Sequence, residues 1–106
     1  ASWVNAISSA QKALRGKHPK IAVPILLLHS DNSVYGNEWN DTFMHGDAVL
    51  NVEHISKLGR ELGKNVTEVE IPDGLHDLAL SSPAVRAAFY DTVFSWLDKV
   101  LPATCR

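Results

Sequence analysis

Two segments carry residues whose types and order suit proton-transfer chemistry: Gly46-Asp47-Ala48-Val49-Leu50-Asn51-Val52 and Gly74-Leu75-His76-Asp77. A histidine acting as general base needs a fixed tautomer and an acceptor for the ring proton that points away from the reaction, and an aspartate supplies that acceptor. Acid first and histidine second is the order of the last two members of a nucleophile, acid, histidine relay built on an α/β sheet. The first member is absent. None of Ser2, Ser8, Ser9, Ser30, Ser33, Ser56, Ser81, Ser82 or Ser95 has glycines two positions before and two after it, so no nucleophile elbow can be drawn.

Asp47 and His76 are 29 positions apart, and for them to meet the chain between them must return to the edge it left, which one helix and one strand achieve. The pattern supplies both. Leu50, Val52, Ile55, Leu58 and Leu62 recur at helical spacing, with Arg60 in the last turn and Gly63 as the expected C-cap. Val66 to Ile71 alternates, with Thr67, Val69 and Ile71 on one face and Glu68 and Glu70 on the other, as in a half-exposed edge strand. Upstream, Ile21 to Leu28 is continuously apolar, which indicates a parallel strand covered on both faces. Pro24 cannot donate to a ladder, so the part paired on both sides is expected over Ile25 to His29.

The remaining elements frame these. Trp3, Ile7, Ala10 and Leu14 mark an opening amphipathic helix that ends at Gly16, and His18-Pro19-Lys20 is a turn. Ser30 to His45 is a long polar loop carrying Tyr35, Trp39 and Phe43. Pro72-Asp73-Gly74 is a turn, Asp77 caps or braces the loop after it, and Ser82-Pro83 opens a last helix with a stripe of Val85, Phe89, Val93, Trp96, Leu97 and Val100. Pro102 ends it. The order helix, strand, loop, helix, strand, helix predicts an α/β fold with two parallel strands flanked by helices.

Composition narrows the function. A net charge of -2 gives no general attraction for phosphate backbones, so nucleic acid is not an expected partner. The longest apolar run is too short to span a bilayer, and no basic segment followed by an apolar one opens the chain. A single cysteine, Cys105, excludes an internal disulfide and fits a reducing, cytoplasmic setting. The sequons Asn40-Asp41-Thr42 and Asn65-Val66-Thr67 carry weight only in a secreted chain. His18, His29, His45 and His54 lack metal-ligand spacing, and neither a metal nor a cofactor is expected.

The segments Val23-Pro24-Ile25-Leu26-Leu27-Leu28-His29-Ser30, Asp47 to Val52, and Ile71-Pro72-Asp73-Gly74-Leu75-His76-Asp77-Leu78-Ala79-Leu80-Ser81 resemble the C-terminal part of α/β-hydrolases, nearest the lysophospholipase, monoacylglycerol lipase and serine aminopeptidase-like branch. The likeness runs from about Ile21 to Leu101, with only the Asp and Gly-x-His segments specific to function. It implies that Asp47 is the catalytic acid, with Asp31 as a rival, and that His76 is the catalytic base. It also implies that residues 1–106 are the C-terminal portion of a hydrolase domain for carboxylic esters, lipid-like or small acyl, and are inert alone. The nucleophile elbow and the oxyanion-hole amides of that family have no counterpart here.

Four expectations accompany this one. Epoxide hydrolases and haloalkane dehalogenases end with a similar acid and histidine but use an aspartate nucleophile, and a non-catalytic module that oligomerises through its apolar strand shares the same pattern. Asp47 also suits the N-cap of the helix after it. Finally, two strands cannot cover their own faces: leaving four large side chains of the first in water forfeits roughly 1.5 to 3 kcal/mol each. An N-terminal portion or a second copy of the chain is the expected cover.

Overall fold

In the computed structural model, which describes residues 2–16 and 20–102, three α-helices flank a two-stranded parallel sheet. The expected turn at His18-Pro19 and the cysteine at position 105 lie outside the described residues. Helix α1 spans Ser2–Arg15, strand β1 Ile25–Ser30, helix α2 Val52–Arg60, strand β2 Val66–Ile71 and helix α3 Pro83–Val100. Two single turns of 3-10 helix, Asp41–Met44 and Leu78–Leu80, lie in the loops after β1 and β2.

Strand β1 starts immediately after Pro24, where a residue without an N–H must lie outside the ladder. It pairs with β2 in parallel register from Ile25 opposite Val66 to Ser30 opposite Ile71. Among the described residues it is paired on that side alone, so the expectation of pairing on both sides of Ile25 to His29 is not met within this chain. The crossover between the strands is α2, which packs on β1 through the buried Gly59. A Cβ there would crowd the Leu27 side chain, within 2.9 Å of Cδ1 and 3.2 Å of Cγ.

Two boundaries differ from the sequence pattern. Helix α2 begins at Val52 and not at Leu50, because the Asn51 side chain caps it by accepting from the Glu53 amide. It ends with Glu61 at the C-cap in a right-handed conformation, so Gly63 is not a cap. Gly63 instead bridges Ile21, whose carbonyl stands where a Cβ would be. Ser82 and Pro83 do open α3, but the Ser82 hydroxyl makes no capping bond.

The alternation read in β2 holds in part. Ile71 is buried and Val69 half-buried, whereas Thr67 is exposed, and Glu68 is half-buried because it meets His29 and Arg60. The stripe Val85, Phe89, Val93, Trp96, Leu97 and Val100 is the less exposed face of α3, yet no residue of that helix is fully buried. Every residue of α1 is exposed, Trp3, Val4, Ile7 and Leu14 included. Among the described residues only Ile71 and Leu78 form a buried apolar core, at the end of β2 and the turn after it. That end of the sheet carries the loops of Asp47 and His76.

Candidate active site

Asp47 lies in a loop, but a latched one. Its amide donates to the Asn32 carbonyl and its own carbonyl accepts from Val34, each at 2.9 Å, so residues 32–34 and 47 form a short parallel bridge just past the end of β1. Gly46 sits beside this bridge, buried, and any side chain there would strike Asn32 Oδ1 and Val34 Cγ2. The latch fixes Asp47 relative to the strand, although it lies 17 positions beyond Ser30 in the chain.

On the other side, Pro72-Asp73-Gly74 turns the chain out of β2, with Asp73 taking the left-handed conformation at φ 59°. Aspartate tolerates this because its short polar side chain is among the few that do. Gly74 is required for contact: a Cβ would come within 2.6 Å of Leu78 Cδ2 and 3.0 Å of the Ile71 carbonyl. The buried Ser81 hydroxyl accepts from the Leu75 amide at 2.9 Å, and Asp77 caps the following turn by accepting from Ala79 at 3.2 Å. His76 is thus held between two anchored neighbours.

The two loops bring Asp47 and His76 into contact. His76 Nδ1 donates to Asp47 Oδ2 at 2.9 Å. The other carboxylate oxygen, Oδ1, accepts from the amides of Val49 and Leu50, both at 2.8 Å. Asp47 is 2 % exposed, whereas the His76 side chain is 43 % exposed. Burial pushes the Asp47 carboxyl up, but the Leu50 amide, the His76 ring and the Val49 amide together outweigh it and hold the carboxyl below its ordinary value. The result is a buried anion pinned at both oxygens, orienting a half-exposed ring that lines an open cleft. Asp47 does not cap α2, which belongs to Asn51; its amide bonds close the turn just ahead of that helix.

Asp31, the rival acid, is exposed, and its bonds are to other residues. Its Oδ1 accepts from the Asn32 side chain at 2.7 Å and from the Asp73 amide at 3.2 Å, bracing one loop against the other. His29 forms a second histidine–acid pair, buried between the strands. Its Nδ1 donates to the Ser30 carbonyl at 2.6 Å and its Nε2 lies 2.8 Å from Glu68 Oε2, so neither nitrogen is free to face a substrate. The Ser56 hydroxyl first, and then the His29 ring, keep the Glu68 carboxyl below its ordinary value.

The cleft against His76 has a volume of 270 Å³ and is walled by Phe43, Val49, Leu75 and Leu80. Phe43 is itself stacked on Trp39, with ring centroids 5.6 Å apart. Among the described residues no group of three or more His, Cys, Asp or Glu side chains stands together in a way that could hold a metal ion, and no helix is long and apolar enough to cross a membrane. Gly46 and Ser33 escaped the sequence pattern: a glycine before an acid and a serine in a polar loop are too common to signal a latch. Comparison with family models, curated proteins and solved structures gives no significant match to this chain.

Proposed function

We propose that this chain is the acid-and-histidine half of an α/β-hydrolase that cleaves carboxylic esters, with the serine nucleophile on a polypeptide that covers the open edge of β1. The observation that carries the reading is the 2.9 Å bond from His76 Nδ1 to the buried Asp47, which leaves Nε2 as the nitrogen available for catalysis. In that assembly His76 Nε2 takes the proton of the serine hydroxyl as its oxygen attacks the ester carbonyl. The proton then passes to the departing alcohol as the carbon–oxygen bond breaks. Water repeats the cycle on the acyl-enzyme: His76 removes its proton, the acid product leaves, and the serine regains its hydrogen. Asp47 stays ionised throughout and keeps the ring in one tautomer.

The surface of the chain supports the need for cover. Its accessible area is 7629 Å². A folded monomer of this mass exposes about 5,800 Å², so the excess is about 1,800 Å². One partner of a standard interface buries about 800 Å², so the excess is of the size found in obligate assemblies. The radius of gyration, 15.8 Å, likewise exceeds the roughly 13 Å of a self-contained domain of this length.

The test joins the chain to the segment encoded directly upstream of it. The joined protein is expected to hydrolyse p-nitrophenyl butyrate, to be labelled by a fluorophosphonate at a serine, and to lose about 10³-fold or more in kcat on His76→Ala. The 106-residue chain alone is expected to be inactive, since oxyanion donors and nucleophile supply most of the acceleration. Turnover by the chain alone, an aspartate at the elbow, or full activity in His76→Ala would each refute the proposal.

A further inference from the structure

We infer that Ser33 is a positioning residue for His76, acting through Asp47; this deepens the reading above and rests on it. Ser33 stands in the bridge opposite Asp47. Its hydroxyl donates to the Leu50 carbonyl at 2.9 Å and accepts from the Val52 amide at 2.9 Å. A hydroxyl can do both at once, with one hydrogen and two lone pairs. It therefore closes the far end of the turn that Asp47 opens.

The consequence lies in how the turn spends its amides. Val49 and Leu50 both aim their N–H groups at Asp47 Oδ1. Leu50 is fixed from the other side, because its carbonyl is held by Ser33. With Oδ1 saturated, the carboxylate presents Oδ2 to His76 and cannot rotate without abandoning two amides. Without the Ser33 hydroxyl, the Leu50 carbonyl and the Val52 amide lose their common partner and the turn can open. Oδ1 then loses its amides, and the His76 ring its single acceptor. The Asn51 cap, which holds the Glu53 amide, does not substitute, since it acts one step further along the chain.

The readout is the tautomer of His76, taken from ring-¹⁵N shifts in protein labelled at histidine, with Asp47→Asn as the reference for a broken pair. Ser33→Ala is expected to lower the ratio of the Nδ1–H to the Nε2–H form about fivefold, as a partial loosening of the Asp47 acceptor implies. Ser33→Thr, which keeps the hydroxyl, is expected to retain the ratio. Should Ser33→Ala fail to fold, Ser33→Cys keeps the volume with a weak hydrogen-bonding group and is expected to lower the ratio in the same direction. A ratio unchanged in Ser33→Ala or Ser33→Cys, while Asp47→Asn shifts it, overturns the role of Ser33 and leaves the Asp47–His76 pair intact. A ratio unchanged in Asp47→Asn as well overturns the pair and this inference together.

Discussion

At the scale of single residues, Asp47 combines near-complete burial with a full set of partners. Its carboxyl is held below the ordinary value of 3.8, so the sign of its contribution is fixed. A depressed folded value means stability that is present above 3.8 and lost as pH falls through the folded value. Asp47→Asn is therefore expected to be less stable than the native chain by a constant amount above about pH 5, with the difference closing in more acid solution. Urea unfolding across that range measures it, and a difference that opened only above neutrality would assign the effect elsewhere. That Asp47 and His76 could meet was legible in the sequence, because one helix and one strand between them return the chain to the same sheet edge. It is Asp47, and not Asp31, that bonds His76, and the reason was hidden: a backbone bridge 14 positions upstream, at Ser33, brings the later acid to the rim. Nothing in a polar Asn- and Asp-rich loop signals which amides will pair.

At the scale of elements, periodicity located both strands and all three helices, because apolar spacing is what burial against a sheet demands. The ends were less readable. Asn51 and Asp47 are equally good capping residues, and only the spatial demand of the bridge decides which of them caps α2. Gly63 follows a helical stripe as a C-cap glycine would, yet it serves the close approach of Ile21. Gly59 tests how tightly α2 lies on β1. An alanine there gains about 1 kcal/mol of helix propensity. Overpacking a fitted contact costs about 1–3 kcal/mol, and three atoms of Leu27 would be crowded. The expected result for Gly59→Ala is a net loss of about 1 kcal/mol, seen as a lower urea midpoint at unchanged slope. A gain in stability would mean that α2 sits further from the strand.

At the scale of the whole molecule, the mixed α/β architecture follows from the alternation of elements, and the shortage of core follows from having two strands. Only Ile71 and Leu78 are buried apolar residues among those described, while Trp3, Val23, Phe94 and Leu80 are more than 60 % exposed. Native mass spectrometry of the 106-residue chain is expected to show dimers or larger species, with the amides of Leu26 and Leu28, which alternate with the β2-facing Ile25 amide, exchanging rapidly in whatever monomer persists. A monodisperse monomer with those amides protected would show that β1 needs no cover. Self-association of this kind is compatible with a hydrolase, since one uncovered strand edge accepts either its proper neighbour or another copy.

The bridge between Ser33 and Asp47 has one more consequence. By clipping the two ends of the segment 35–45 together at the sheet, it makes everything between them a closed excursion. Residues such as Tyr35, Trp39 and Met44 ride on that excursion, whereas the acid does not. Lengthening, shortening or rewriting it is expected to leave the Asp47–His76 pair where it stands, because the pair is anchored outside it.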